Sequence, residues 1–176
     1  MAVFYQEKQQ FRNPWMWALI GISFVPVNAI FIYGCYQQLL LGEPWGNKPM
    51  GDTALLLTTL STLVVSLALI GIALHTELTL TLKDKTVFYR LGPVMREKAI
   101  HFSDIKDWQV KPINPITDYG GYGWRLTRQS RAYILNGQHA LVIQPHSGKK
   151  IAISTQNPQA VAAAFSREWQ RFNTKI

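Results

Sequence analysis

Four histidines and one cysteine are the residues that could hold a metal ion, and their spacing does not favour such a site. His75, His101, His139 and His146 form no His-x-x-x-His pair, and Cys35 is the only cysteine. A structural zinc ion needs four ligands from closely spaced Cys and His residues, and a single cysteine cannot form an intrachain disulfide. We therefore predict no metal ion and no cofactor, with structural roles for the histidines.

Ser103 and Asp104 offer a hydroxyl and a carboxylate, which in an enzyme could serve as nucleophile and acid. Catalysis by such a pair also needs a base and an orienting group, and the sequence supplies no recognisable set of this kind. Ser and Asp bond readily to nearby main-chain amides, so a turn or cap role explains both residues. We predict that the chain is not an enzyme and has no small-molecule substrate.

Three glycines, Gly120, Gly121 and Gly123, resemble the start of a phosphate-binding loop. Such a loop ends in Lys-Ser or Lys-Thr and opens a helix, and neither feature follows here. Glycines within strands commonly permit a bulge or a close approach of neighbouring strands. We predict that second role for this segment.

Basic residues are concentrated after position 76, where 15 Lys and Arg face seven Asp and Glu, so that this part carries the whole net charge of +8. Each basic residue near an anionic bilayer contributes about 1 kcal/mol of attraction. Nucleic acid would attract the same charge, but the residues are scattered without dense basic runs, so we predict no nucleic-acid partner. The basic residues at predicted turns are the candidates for contact with lipid or a protein partner: Lys83, Lys85, Arg128, Lys149 and Lys150.

Two long apolar segments precede this basic part, over about residues 15–41 and 53–74. A helix of about 20 apolar residues crosses the roughly 30 Å of hydrocarbon in a bilayer. No Asp, Glu, Lys or Arg occurs from Asn13 to Gly42 or from Thr53 to Thr76. The short connection at 42–52 makes the pair an antiparallel hairpin, so we predict a transmembrane helical hairpin over residues 14–75.

A few polar side chains within the two segments are candidates for helix packing. Thr58, Thr62 and Ser66 recur at a spacing of four, which puts small hydroxyl residues on one helical face. Asn28 lies near the middle of the first segment, and we predict that it forms an interhelical hydrogen bond. An alternative is a transport path lined by Asn28, Gln37 and Gln38, which would need several copies of the chain.

Flanking charge predicts the orientation of the hairpin. Lys8 and Arg12 precede the first segment and several cations follow the second, whereas the connection carries only Lys48. Because Lys and Arg are enriched in cytoplasmic loops, both termini should face the cytoplasm. We predict a two-span protein of the bacterial inner membrane, with residues 1–13 as a cytoplasmic N-terminal segment.

A secretory signal is a competing interpretation of the first segment. Lys8 and Arg12 could form a basic leader region, and residues 32–35 resemble a lipoprotein cleavage site ending in Cys35. The apolar run is longer than an ordinary signal core, and Tyr33 is bulky where such sites carry a small residue. We therefore favour a membrane span.

Residues 76–176 carry the pattern of a β-rich domain. Leu78, Leu80 and Leu82 alternate with threonines, which predicts a strand with one buried face. Further strands are predicted at 86–91, 94–102, 105–113, 121–126, 131–135, 139–144 and 150–154. The last segment places apolar residues at helical spacing, namely Val161, Phe165, Trp169 and Phe172. The predicted fold is α+β: the hairpin, then a β-sandwich or barrel of about seven strands capped by a C-terminal helix.

The order of strands and final helix resembles the pleckstrin-homology-like (PH-like) domain, and several runs of residues strengthen the likeness. GGYGWR at 120–125, AYILNGQHALVIQ at 132–144, SGKKIAIST at 147–155 and FSDI at 102–105 resemble bacterial membrane proteins with a C-terminal PH-like domain. Inositide-binding members carry a further basic residue at the position of Phe88, so the resemblance does not imply inositide recognition.

The resemblance implies a noncatalytic binding or assembly module. We expect it to bind a protein partner or a second copy of itself near the cytoplasmic membrane surface, where tethering raises its local concentration. Sensing of anionic lipid headgroups is the alternative, and membership of a larger membrane transport complex is a third possibility.

Overall fold

The chain divides into two units, and the second is inserted in sequence between the two segments of the first. The β-rich unit comprises Met1–Phe11 and His75–Ile176, and the helical hairpin comprises Arg12–Leu74. The computed structural model describes residues 3–11 and 14–174. Arg12, one of the cations on which the predicted orientation rests, lies outside the described residues.

The helical hairpin contains two long apolar helices. Helix α1 spans Pro14–Cys35 and continues through one π-helical turn, Tyr36–Leu40, while α2 spans Asp52–His75. Both are long and apolar enough to cross a bilayer, and few of their residues are buried. The prediction of two apolar helices is confirmed.

The first sheet of the β-rich unit has four antiparallel strands in the order β1-β2-β3-β4. They are β1 (Val3–Gln10), β2 (Glu77–Lys83), β3 (Thr86–Gly92) and β4 (Lys98–His101). Asp84 and Lys85 both have positive φ, 47° and 60°, as the two-residue turn between β2 and β3 requires. Strand β1 lies in the predicted N-terminal segment, where the sequence predicts no strand.

The second sheet has five strands in the order β5-β8-β9-β7-β6. They are β5 (Ile105–Pro112), β6 (Gly123–Leu126), β7 (Ser130–Ile134), β8 (His139–Pro145) and β9 (Lys150–Thr155). Strands β7 and β9 are parallel, and the other neighbours are antiparallel. A 3₁₀ turn, Phe102–Asp104, joins β4 to β5.

The α+β class is confirmed, and of the predicted sandwich or barrel the closed barrel is not found. The described residues form nine strands in two open sheets rather than about seven strands closed on themselves. The strand count differs because β1 is contributed from before the hairpin, and the strand order differs because β7 pairs in parallel with β9.

The main core contains one face of each sheet and the C-terminal helix α4, Pro158–Asn173. Leu78, Leu80 and Leu82 are fully buried from β2, as their alternation predicts. From α4, the Phe165 ring lies 5.0 Å from the Phe102 ring and 4.3 Å from the Trp108 ring, measured between centroids. The helix therefore covers the core with its apolar face.

The other face of the second sheet carries a smaller apolar cluster of alanine, isoleucine and valine side chains, including Ile134 and Val142. The connection between β5 and β6 packs against this cluster through Tyr119 and Tyr122. This connection contains the short helix α3, Pro115–Tyr119, which ends at Gly120 with a left-handed φ of 77°. Gly120 thus ends α3, and Gly123 of the same glycine run begins β6.

Candidate functional site

Four turns lie side by side at one end of the β-rich unit, linked by main-chain hydrogen bonds. The Phe102 N–H donates to the Lys85 carbonyl (2.9 Å), and the His146 N–H donates to the Asp104 carbonyl (2.9 Å). The Lys150 N–H then donates to the Gln129 carbonyl (3.1 Å). We call residues 83–86, 102–104, 127–130 and 146–150 the basic end.

All five basic residues predicted as contact candidates, Lys83, Lys85, Arg128, Lys149 and Lys150, belong to the basic end. Lys85 Nζ lies 5.4 Å from the centre of the Phe172 ring, close enough for a cation–π contact. Lys149 Nζ donates to the Thr127 carbonyl (2.7 Å), which connects two of the turns. The fold thus gathers charges that are far apart in sequence, and their contact with lipid or a partner stays a prediction.

A cavity of about 470 Å³, called the polar cleft, opens at the basic end. Its wall includes the cationic or protonatable side chains of Arg131, His146 and Lys149 and the carboxylate of Asp104. Hydroxyl groups come from Tyr89, Ser103 and Ser147. Only Lys149 of the five predicted contact residues lines it.

Tyr89 and Tyr133 form a buried pair beside the polar cleft, with ring centroids 4.9 Å apart. Burial, and next the neighbouring Tyr133 phenol, raise the pKa of Tyr89 above its usual range, and Arg131 opposes the shift only in part. Tyr89 therefore stays a neutral hydroxyl donor at physiological pH. Within the described residues, the buried Tyr133 hydroxyl has no hydrogen-bond partner.

Sequence reasoning missed three members of the polar cleft: Tyr89, Arg131 and His146. They come from β3, from β7 and from the turn between β8 and β9, so no local spacing connects them. Ser103 and Asp104 lie in the 3₁₀ turn, and Ser103 Oγ is 3.4 Å from Asp104 Oδ1. No three His, Cys, Asp or Glu side chains of residues 3–11 and 14–174 are grouped to hold a metal ion.

A second polar cluster surrounds Glu7, a buried carboxylate in β1. It accepts hydrogen bonds from the Tyr5 hydroxyl (2.6 Å), Thr155 Oγ1 (2.7 Å) and the Gln156 N–H (2.7 Å). Burial, followed by the bond and charge of Glu7, raises the pKa of Tyr5 above its usual range. Four donors, including Gln9 Nε2 (3.0 Å), replace the water that this carboxylate loses on burial.

Gln9 extends this cluster to the second sheet. Its Nε2 donates to the Ser154 carbonyl (2.6 Å), and its Oε1 accepts from Ser154 Oγ (3.0 Å) and the Asn136 N–H (3.2 Å). Asn136 also bonds to the Gln10 carbonyl through its side chain. Strand β1 is thus joined to β2 by its ladder and to the C-terminal end of β9 by side chains.

Polar contacts also join the two helices of the hairpin. Asn28 Nδ2 donates to Ser66 Oγ (2.9 Å) across the helix pair and to the Phe24 carbonyl (2.7 Å) in its own helix. Thr59 Oγ1 lies 3.1 Å from Cys35 Sγ, a contact that the predicted stripe does not include. The hydroxyls of Thr58 and Thr62 donate to carbonyls of α2 itself, namely those of Ala54 and Thr59.

No family model matches this chain, and no curated protein matches it significantly. A proposed function therefore rests on the geometry of the chain itself.

Proposed function

We propose that the chain is a noncatalytic, membrane-anchored interaction module of the bacterial inner membrane, whose β-rich unit binds a protein partner or a second copy at the cytoplasmic face. One observation carries the proposal. The hairpin is inserted between β1 and β2, which are neighbouring antiparallel strands of one sheet, with Lys8 opposite Thr79.

The insertion constrains the topology. If α1 and α2 both cross the bilayer, the chain leaves the sheet and returns to it on the same side, as the pairing of β1 with β2 requires. A hairpin of two spans satisfies this condition, whereas one span does not. The excess of Lys and Arg in the segments flanking the pair supports the cytoplasmic side.

The same strand argues against a cleaved secretory signal. Removal of residues up to Cys35 would take β1 away and leave Ser154 and Thr155 without the side chains of Glu7 and Gln9. Buried polar groups that lose their partners cost about 1–3 kcal/mol each. Retention of the first helix is therefore favoured.

The PH-like character is part of this proposal. Its support is the order of elements, in which strands precede one amphipathic helix that packs on the core through Val161 and Phe165. Such a unit binds through its loops and edges and has no need of a catalytic group.

We favour a protein partner over direct sensing of lipid. Lys83 ends β2, whereas the chain enters β2 from α2 at Glu77. Six residue steps of extended chain separate them, about 20 Å along the strand, so the basic end is at the opposite end of β2 from the point where the chain leaves α2. The basic end is a surface formed by turns, which suits contact with a protein partner, and contact with anionic lipid is the alternative.

Photocrosslinking in native membranes tests the proposal. A photoreactive residue replaces Arg128, which is exposed at the basic end, and a matched control replaces the exposed Thr117 in α3. We expect a discrete protein adduct from position 128 and none from position 117. Adducts with lipid alone at position 128, or no adduct at either position, would argue against the module; adducts with channel or carrier subunits would favour a role in a transport complex.

A further inference from the structure

We propose that the polar cleft binds the phosphate group of a small organic phosphate or of a lipid headgroup. This inference rests on the proposed function in one respect, because both take the basic end as the binding surface. All the residues that would contact the phosphate belong to the β-rich unit. A phosphate bound in this way is a ligand and not a substrate, so a noncatalytic module can hold it.

Arg131 is the main reason for this inference. Its guanidinium lines the cleft, and it forms no hydrogen bond or ion pair with any other described residue. A guanidinium carries five N–H donors in a planar fork, which matches two oxygens of a phosphate. The group lies close enough to Tyr89, another residue of the cleft wall, for its positive charge to oppose the rise in the pKa of that phenol.

Lys149 and His146, which come from the turn between β8 and β9, add donors to the wall of the cleft. The Lys149 ammonium has three N–H groups, of which one reaches the Thr127 carbonyl and the others remain for a ligand. The bond to Thr127 also restricts this long side chain, which lowers the entropy lost on binding.

Hydroxyl groups supply neutral donors between these charges. Tyr89 is buried, stays protonated at physiological pH and lines the cleft together with Ser103 and Ser147. Hydroxyls can turn to donate toward an anion, and each charge-assisted bond is stronger than a neutral one.

The turn between β8 and β9 offers main-chain donors as well. In the described part of the chain, the N–H groups of Ser147, Gly148 and Lys149 donate to no main-chain carbonyl outside the strand ladders. Gly148 has a φ of 95°, a left-handed conformation typical of turns in which successive N–H groups form an anion-binding nest.

The charges in the wall of the polar cleft and the volume of the cleft indicate the class of ligand. Asp104 is the single carboxylate in the wall, against Arg131 and Lys149, so the balance favours an anion. Three phosphate oxygens can accept donors from several directions, whereas a carboxylate accepts mainly within its plane. About 470 Å³ is larger than a bare phosphate needs, and falls within the range of small-molecule pockets.

Titration of the full chain in a neutral maltoside detergent tests the proposal, with glycerol 3-phosphate as the soluble probe and calorimetry as the readout. We expect saturable binding that Arg131→Gln weakens at least tenfold, equivalent to about 1.4 kcal/mol. Arg125→Gln, on the exposed edge strand β6, is the matched control and should bind like the parent. Lys149→Gln, which leaves the β7 side chains intact, provides a second variant should Arg131→Gln unfold.

A second arm separates the two sources of phosphate. The full chain is placed in nanodiscs of phosphatidylglycerol, or of phosphatidylcholine to which phosphatidic acid is added, and lipid contacts at Ser147 are detected with a photoreactive residue. Binding of the soluble probe supports a free organic phosphate, and lipid adducts that Arg131→Gln abolishes support a headgroup. Absence of both, or equal losses in Arg131→Gln and Arg125→Gln, would overturn the proposal.

Discussion

Gln9 and Ser154 are bonded to each other twice although 145 residues separate them: the Gln9 amide donates to the Ser154 carbonyl (2.6 Å), and the Ser154 hydroxyl donates to the Gln9 amide oxygen (3.0 Å). Both residues are almost fully buried. Because the hairpin lies between them in sequence, the β-rich unit is completed only when the segment preceding α1 joins the segments that follow α2.

Replacing Gln9 with Leu should lower the free energy of unfolding of the β-rich unit by about 2 kcal/mol, because Ser154 and the Asn136 N–H lose a buried partner. Gln6→Leu is the matched control, since Gln6 is exposed on the other face of β1, and should change stability by less than about 0.5 kcal/mol. Denaturant unfolding of the detergent-solubilised chain measures both. Equal losses would show that the buried network does not hold β1.

Alkaline pH should destabilise the β-rich unit through Tyr89 and Tyr5. Their pKa values are raised in the folded chain, so folding favours the neutral phenols. This contribution is complete below the unfolded pKa of about 10 and is lost as the pH rises toward the folded values. The melting temperature should therefore fall more steeply above pH 10 in the parent than in Tyr89→Phe.

Absorbance at 295 nm checks the same point, because it reports phenolate directly. The phenols of Tyr89 and Tyr5 should ionise only together with unfolding. Ionisation of all tyrosines near pH 10 in the folded chain would contradict the burial.

The pairing of β1 with β2 can be tested by a disulfide. Lys8 and Thr79 are directly opposite each other, and neighbouring strands place such pairs about 4.5–5.5 Å apart, within disulfide range. In a Cys35→Ser background, Lys8→Cys with Thr79→Cys should crosslink on mild oxidation. Lys8→Cys with Arg90→Cys is the control, because Arg90 is opposite Thr79 on β3, one strand further away. A crosslink in the control pair alone would rule out this register.

Ser66→Ala should weaken the packing of α1 on α2, since Asn28 then loses its partner on the other helix. Polar contacts between membrane helices contribute about 0.6 kcal/mol on average. Ser61→Ala is the matched control: Ser61 is exposed and bonds only to the Thr58 carbonyl of its own helix. Thermal unfolding in detergent should rank Ser66→Ala below the parent and leave Ser61→Ala unchanged.

Helices and strands can be predicted from the sequence wherever the face that they bury is apolar. Alternating leucines identify β2, and the spacing of Val161 and Phe165 identifies α4, because period 2 and period 3.6 are direct consequences of backbone geometry. The two apolar helices are recognised by the same physics, through their length and lack of charge.

Strand β1 could not be recognised in this way. Its inward side chains include Glu7 and Gln9, which are polar and are buried only because partners in β9 and the following turn satisfy them. The polar cleft could not be predicted from the sequence either, since Tyr89, Arg131 and His146 are brought together by long-range strand pairing. The parallel pairing of β7 with β9 likewise joins segments that are not consecutive in sequence, so no local pattern predicts it.

The most direct test of the central claim is labelling of single cysteines with a membrane-impermeant maleimide, in a Cys35→Ser background. The three sites are Gln6→Cys in β1, Asn47→Cys in the connection between the helices, and Gln109→Cys in β5, all of which are exposed. We predict that position 47 reacts in intact cells with permeable outer membranes, whereas positions 6 and 109 react only after lysis. Reaction of position 6 or 109 in intact cells, or protection of position 47, would contradict a hairpin that spans the membrane and returns the chain to one cytoplasmic sheet.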